Sequence, residues 1–179
     1  MNIDHWRESV LSQLGELSAE GREAADFLRG RRSRIGFRSA RRNVGAFWTV
    51  FGGVYVNSKL YTTETSLSNV YLLTLILHEA WHLRQGFFKA LSVYGELEAW
   101  QLQFRLLGQH GGNVSHPAIA ELLTLPLGWD RGTLARAREL MRTYAGRGYR
   151  ADLLPLYPLG AEIRYRLSEV LRKIRGRAA

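Results

Sequence analysis

Residues 66–86 read SLSNVYLLTLILHEAWHLRQG, and this stretch decides how the rest of the chain is organised. The pattern predicts a helix that opens at Ser66 or Ser68 and runs to Gln85, with Gly86 where a left-handed terminator belongs. Its first half, residues 70–77, is apolar on every side apart from Thr74. A helix that is apolar all round is buried, so we expect this helix to cross the middle of the domain.

The second half of this helix carries the motif His78-Glu79-Ala80-Trp81-His82. Two histidines four residues apart project from one helix face, so both imidazoles can reach a single Zn²⁺. Glu79 is rotated by about 100° from His78, which makes it the natural general base for a zinc-activated water. The alternative is two ordinary polar positions that meet solvent late in a helix. The apolar run before them speaks against it, because buried ionisable groups are costly unless paired or bound to metal.

A catalytic zinc usually has three protein ligands and an open position. Glu96 and Glu98 are the candidates, in a further predicted helix over residues 92–107. Residues two apart on a helix point to nearly opposite sides, so at most one of the two can bind the ion. Glu98 shares a face with Tyr94 and with Gly95, which is small enough to allow a close approach of the two helices. Spacing and face geometry therefore favour Glu98 over Glu96.

Over residues 44–107 the chain resembles the gluzincin metallopeptidases, in which a second helix after the HExxH helix supplies a Glu ligand. In that group the ligand Glu is often followed by a small residue, as Glu98 is by Ala99. The resemblance implies a zinc site with these residues: ligands His78, His82 and Glu98, and general base Glu79. The interval between His82 and Glu98 is short, which favours a minimal two-helix site. Leu102 stands where some relatives place an Asp that orients a histidine.

The resemblance extends to the sheet, since gluzincins place a strand edge beside the active-site helix and a peptide can add to it as an extra strand. Residues 53–57 are the candidate edge. The alternative is a plain hairpin that packs its aromatic side chains on the core. What the resemblance implies for function is a zinc-dependent hydrolase, a metalloprotease that cuts peptide bonds. Other amides are a further possibility, because the same water-activating geometry would serve them equally well.

The remaining sequence predicts an α+β fold, mainly helical, with a small sheet packed on the HExxH helix in a zincin-like arrangement. Strands are expected at residues 44–51 and 54–61, joined by Gly52-Gly53 in a tight turn. Helices are expected at residues 4–17, 18–28, 117–125, from 130 or 133 to 145, and 160–175. The last should bury Ile163, Leu167, Val170 and Ile174. We expect one domain: N-terminal helices and a basic segment over 1–43, the catalytic core over 44–107, and a helical part over 108–179.

Composition limits the class of protein. The chain has 179 residues, 46% of them hydrophobic, which is enough for one domain with a proper core. It has no cysteine, so disulfides and thiolate metal sites are excluded and a metal site must use His, Asp or Glu. The N-terminus mixes charges of both signs, unlike a signal peptide, and no stretch reads as a membrane span. We therefore predict a cytoplasmic protein with no membrane partner.

The net charge of +9 supports a second class of function. Arginines are dense over residues 29–42 and recur near the C-terminus at Arg172, Arg175 and Arg177, beside Lys173. Such a surface can bind nucleic acid or another anionic partner, with the metal site structural or vestigial, although basic residues are more often a solvated face. The two functions can also coexist in one protein.

Residues that would contact a substrate are the least determined part of the prediction. A peptidase benefits from a donor that stabilises the oxyanion, and the candidates are Tyr94, His110, His116, Tyr149 and Tyr157, of which Tyr94 is our substrate-binding assignment. Arg147 or Arg150, in the loop-like stretch after Gly146, would bind a substrate carboxylate, unless that stretch is only a solvated connection.

Overall fold

The computed structural model describes residues 2–146, 149 and 151–175, with the backbone only for 173–175. It confirms an α+β fold that is mainly helical with a small sheet. The elements are α1 Ile3–Leu17, α2 Ala19–Gly30, β1 Ile35–Arg38, β2 Ala46–Trp48, β3 Val54–Asn57, α3 Val70–Gln85, α4 Phe87–Ala90, α5 Val93–Gln109, α6 Pro117–Thr124, α7 Arg131–Ala145, a 3-10 turn at Ala151–Leu153, and α8 Leu159–Arg175.

The helix that carries the motif, α3, starts later than predicted. Its N-cap is Asn69, whose side-chain oxygen accepts a hydrogen bond from the Leu72 amide at 3.2 Å. An Asn in this position satisfies an amide that would otherwise lack a partner, and the two serines before it lie outside the helix. The helix ends at Gln85 as predicted, where Gly86 adopts a φ of +75°.

The sheet has three strands in the order β1-β3-β2, with β1 parallel and β2 antiparallel to β3. The predicted hairpin is present, but its strands are shorter than expected and Gly52 supplies the positive φ of a longer turn. Residues 54–57 form the central strand, paired on both sides, so the prediction that residues 53–57 form a free edge is wrong. The edge strand that packs against α3 is β2.

Two hydrophobic clusters make up the core, and α3 and α5 lie between them. The first joins α1, α2, the sheet and α3, and the second joins α5, α6, α7 and the start of α8. Leu72, Ile76 and Leu77 are fully buried, which confirms that α3 crosses the interior. The motif therefore lies where the two clusters meet.

The last helix, α8, does not bury the side predicted for it. Ile163, Leu167 and Val170 are each more than half exposed, and the side chain of Ile174 is outside the described residues. Contact with the second cluster comes instead from the start of the helix, through Ala161 and Tyr165. Amphipathic spacing predicted the helix correctly, but the described residues provide no partner for its apolar side.

None of the helices in the described residues combines the length and the apolar character needed to cross a membrane.

Candidate metal centre

His78 and His82 lie one helical turn apart on α3 and turn their imidazoles towards each other. Their Nε2 atoms are 3.0 Å apart, and both side chains are almost entirely buried. This is the arrangement predicted from the motif spacing, because residues i and i+4 lie on one helix face.

The carboxylate beside the histidines is Glu96, and the preference for Glu98 is corrected by the structure. Glu96 Oε2 lies 3.7 Å from His78 Nε2, and its Oε1 lies 3.5 Å from His82 Nε2. Within the described residues, His78, His82 and Glu96 are the group that could hold a metal ion. Glu98 instead forms an ion pair with Lys89 and accepts a hydrogen bond from the Trp81 indole at 3.2 Å.

The feature that separates the two glutamates is visible only in the structure. Glu96 shares a helix face with Trp100 and Gln103, at i+4 and i+7. Gln103 is buried although it is polar, and a buried polar side chain on that line marks the face that meets a polar site. Gly95 does permit a close approach: an added Cβ would strike the Lys89 carbonyl and crowd the side-chain oxygen of Gln85, at the end of α3. The small residue therefore reports on the contact with the end of α3 and with the segment after it, and it does not distinguish Glu98 from Glu96.

Glu96 is held in place by two donors that the sequence did not assign to it. The Tyr149 hydroxyl donates to Glu96 Oε2 at 2.6 Å, and the Trp100 indole N–H lies 3.2 Å from the same oxygen. The Trp100 N–H also lies 2.9 Å from the Tyr149 oxygen. Hydrogen bonds of this kind fix the orientation of a carboxylate that binds metal. Tyr149 was one of five oxyanion candidates, and the structure places its hydroxyl on Glu96.

The two histidines differ in how their second ring nitrogen is satisfied. His82 Nδ1 lies 2.9 Å from the Gln85 side-chain oxygen, an acceptor, so Nδ1 carries a proton, and in the neutral imidazole Nε2 is the nitrogen left to bind a metal. Gln85 is fixed in turn by its own N–H, which donates to the Gly95 carbonyl at 2.9 Å. His78 Nδ1 is buried without a well-formed hydrogen bond in the described residues, although Gln103 and the Ala99 carbonyl are close enough to raise its pKa.

Glu79 lies beside this cluster on the next position of α3. It is buried, and its Oε2 accepts a hydrogen bond from the backbone N–H of Trp48 at 3.1 Å. Burial raises the pKa of Glu79 to about 7, against an opposing effect of His82. A carboxylate with a pKa in this range accepts and releases protons near neutral pH. Trp48, on the edge strand β2, is a site residue that the sequence alone did not indicate.

The charges of the cluster are strongly coupled. Burial on its own would lower the pKa of His82, but the neighbouring Glu96 carboxylate outweighs it and raises that pKa to about 9. Partial removal from water would raise the pKa of Glu96, but His82 outweighs it and lowers the pKa. Burial, with the charge of His82, lowers the pKa of His78 to about 3. In the metal-free protein the positive charge of His82 therefore lies beside the Glu96 carboxylate, where a bound cation would supply the positive charge instead.

The donor set fits a zinc ion. Four ligands at 2.0–2.1 Å in a tetrahedron lie about 3.3 Å from one another. The two histidine Nε2 atoms are 3.0 Å apart, and Glu96 places one oxygen 3.5 Å from His82 and its other oxygen 3.7 Å from His78. One ligand atom from each of the three residues can be chosen so that all lie within 4.8 Å of one another. Two imidazole nitrogens and one carboxylate oxygen are also the ligand types of a catalytic zinc site.

The remaining predicted contact residues lie away from the cluster. Tyr94 packs its ring near Lys89 and Trp129, away from the two histidines and Glu96. His110 contacts the Leu17 carbonyl, His116 caps α6, and Tyr157 is buried in the second cluster. Arg147 and Arg150 lie outside the described residues.

Two clefts reach the site from opposite ends of β2. We call the first the basic cleft: it has a volume of about 930 Å³ and includes Arg31, Arg32, Arg34, Arg38, Trp48 and His82 in its lining. We call the second the aromatic cleft: it has a volume of about 360 Å³, reaches His78 and Glu79, and is walled by Tyr71, Trp100, Phe104, Tyr144 and Tyr149.

Together these features define a candidate metal centre with two histidines and one glutamate, and with a second carboxylate in the position of a general base. Comparison with known proteins adds nothing to this, since no protein family, curated protein or solved structure matches the chain.

Proposed function

We propose that the chain is a zinc-dependent hydrolase that cuts peptide bonds, with His78, His82 and Glu96 as ligands and Glu79 as general base. The observation that carries the proposal is the position of Glu79. It lies between a set of three metal-ligand side chains and the backbone of an edge strand, β2. A metal site with a purely structural role has no need of a fourth, unligated carboxylate beside it.

Glu79 would act as the proton carrier of the reaction. Bound Zn²⁺ would supply Lewis acidity, lowering the pKa of water and polarising a carbonyl oxygen. The Trp48 N–H holds Glu79 Oε2, which leaves Oε1 to accept the proton from the attacking water. Glu79 then passes this proton to the leaving amine, so the bond is hydrolysed without a covalent intermediate.

The strand β2 offers a place for the peptide backbone. The Asn57 N–H donates to the Gly45 carbonyl and the Thr49 N–H to the Gly53 carbonyl, so these groups of β2 face β3. Because successive residues of a strand alternate, the backbone groups of Ala46 and Trp48 point away from β3. The Trp48 N–H reaches Glu79, which places this edge at the candidate centre. Because the Trp48 N–H is taken by Glu79, an extended peptide would pair with the backbone of Ala46 and the Trp48 carbonyl, and it would run past the general base.

The test is to measure zinc and peptide cleavage in the same preparations. The chain is purified without added metal, its zinc is quantified by mass spectrometry, and cleavage of a peptide library is followed for the wild type and Glu79→Gln. We expect about one zinc per chain in both proteins. Cleavage by Glu79→Gln should fall by a factor of about 10² to 10⁴, because the general base is lost while the ligands remain.

Glu64→Gln serves as the matched control, since it removes a carboxylate from an exposed loop away from the site. It should keep both zinc and activity. Because all variants are purified in parallel, a contaminating protease would cleave equally in every preparation. Equal cleavage by wild type and Glu79→Gln, or no cleavage by a zinc-loaded wild type, would contradict the proposal.

A further inference from the structure

The basic cleft is lined by four arginines and by a side chain of the candidate centre. Arg31, Arg32, Arg34 and Arg38 lie in the segment from the end of α2 through β1. The same lining includes Trp48 and His82. The segment that the sequence identified only as basic is therefore part of the same recess as a metal-ligand side chain.

Within the described residues none of the four arginines has a carboxylate oxygen within 4.0 Å, and no Asp or Glu lines the cleft. Their neighbour Arg29 differs, since it pairs with Glu8 and Asp26, both at 3.7 Å. Uncompensated positive charge inside a recess concentrates the electrostatic potential there and attracts anions.

Two of the guanidinium groups are held by aromatic rings. Arg38 lies 4.0 Å above the ring of Tyr55, and Arg31 lies 5.2 Å above that of Phe27. Stacking on a ring restricts a long side chain and leaves the edge of the guanidinium free to donate. The cleft is thus partly organised for a carboxylate before any ligand arrives.

The backbone of Arg32 adds an independent observation. Its φ is +51°, the one positive φ at a residue other than glycine in the described chain. The Ser33 N–H donates to the Leu28 carbonyl and the Arg32 N–H to the Arg29 carbonyl, the bonds of a helix terminator in which glycine is the usual residue. An arginine here accepts a strained backbone and places its charge on the cleft wall, a combination typical of functional positions.

We propose that the basic cleft binds acidic side chains of the substrate, on the amino-terminal side of the cleaved bond. The inference rests on the proposed function. The lining of the aromatic cleft includes residues 43–46, and that of the basic cleft includes residues 48–53, so β2 runs from the first towards the second. Antiparallel pairs outnumber parallel pairs in sheets about two- to three-fold, and a peptide antiparallel to β2 runs the other way. Its amino-terminal part then lies among the arginines and its carboxyl-terminal part among the aromatic rings.

The lining favours a peptide over a nucleic acid. The four arginines are exposed to solvent, and they lie in one cleft with residues of the β2 edge. What favours a peptide is this edge, because outward-facing backbone groups can form hydrogen bonds with another peptide backbone, whereas binding to a phosphate backbone needs only accessible positive charge.

The first experiment measures binding without chemistry. Zinc-loaded Glu79→Gln is titrated with a fluorescent peptide that has consecutive Asp and Glu residues before a Phe, and with its Asn and Gln counterpart. We expect the acidic peptide to bind about tenfold more tightly. Adding Arg31→Gln or Arg34→Gln singly should reduce the difference, whereas Arg29→Gln, which removes one charge outside the cleft, should keep it. Circular dichroism and zinc content verify that each variant is folded.

The second experiment measures cleavage of peptides in which the acidic residues precede or follow the cleaved bond. We expect kcat/KM to be about tenfold higher when they precede it. Equal binding of the acidic and neutral peptides, or tighter binding of a single-stranded oligonucleotide that depends on the same arginines, would overturn the inference. Binding of the acidic peptide without any cleavage would overturn the proposed function, but the basic cleft would remain a binding site for acidic side chains. Cleavage with no preference for acidic residues would overturn the inference alone.

Discussion

Glu96 and Glu98 lie two residues apart on α5, and their side chains are similarly accessible, with 15% and 21% exposed. They differ in what they face. Glu96 meets two imidazoles, a tyrosine hydroxyl and an indole N–H, whereas Glu98 meets Lys89, Trp81 and Gln85. One face of the helix therefore carries a carboxylate placed for a metal, and the other carries a surface ion pair. Accessibility alone does not reveal this difference.

The most direct test of which glutamate binds zinc is to replace each of the two with glutamine. Glu96→Gln should weaken zinc binding by more than about 100-fold, because it removes a charged ligand, whereas loss of an outer partner costs about 10- to 100-fold. Glu98→Gln should change it by less than about threefold. Competition with a chromogenic chelator measures both affinities.

The reverse result, with zinc lost in Glu98→Gln and kept in Glu96→Gln, would restore the prediction made from the sequence. Equal losses would mean that α5 as a whole, rather than one face, supports the site. Thermal unfolding of both metal-free variants shows whether either change has simply unfolded the protein.

The pH dependence of the free energy of unfolding tests the role of Glu96 in the wild-type protein, without a substitution at any metal ligand. The pKa of His82 is raised to about 9 by Glu96, above its value of about 6.5 in the unfolded chain. The stabilisation is therefore fully present below pH 6.5 and is lost as the pH rises through 9. For the metal-free protein we expect a loss of about 2 kcal/mol in the free energy of unfolding between pH 7 and 9.

Urea denaturation in the presence of a chelator measures this loss. It should be absent in Glu96→Gln, which removes the carboxylate that raises the pKa of His82, and should persist in Glu98→Gln. With zinc bound it should also disappear, since a histidine ligand is already unprotonated. A loss of equal size in both variants would show that His82 does not depend on Glu96.

Most of the fold was predictable because periodicity and end signals are local. The apolar run at residues 70–77 indicated a buried helix, and Gly86 its end. What depends on tertiary pairing was not predictable. Residues 54–57 form a central strand only because β1, more than fifteen residues earlier, pairs with them in parallel. The exposed side of α8 is the same kind of error, since amphipathic spacing does not specify a partner.

The residues of the candidate site also divide into those predictable from local sequence and those that depend on tertiary packing. His78, Glu79 and His82 follow from spacing on one helix, so the sequence was sufficient for them. Glu96 required knowledge of which face of α5 meets α3. Tyr149 and Trp48 reach the site from 53 residues after Glu96 and 31 residues before Glu79, and neither has a sequence signal that singles it out.

Removing one hydrogen bond to Glu96 tests whether its face is organised as described. Tyr149→Phe deletes the hydroxyl that donates to Glu96 at 2.6 Å and leaves the ring in place. We expect zinc affinity to fall by about tenfold, as is usual when a partner of a ligand is lost. Tyr94→Phe is the control, because Tyr94 lies on α5 like Glu96 but packs away from it, and this change should have no effect on zinc affinity. Equal affinities for wild type and Tyr149→Phe would show that the ligand needs no such support.

The smallest effect on zinc affinity is expected from a change on the face of α5 that carries Glu98. Lys89→Met removes the ion pair with Glu98 while keeping much of the aliphatic side chain, and both partners are partly exposed. A pair in contact with solvent contributes about 0–1 kcal/mol to the free energy of unfolding, and Glu98 keeps its hydrogen bonds from Trp81 and Gln85. Zinc affinity should therefore stay within about twofold of wild type in a chelator competition. A larger loss would mean that the Lys89–Glu98 pair affects zinc binding through Gln85, whose side chain contacts both Glu98 and His82. Both faces of α5 would then contribute to zinc affinity.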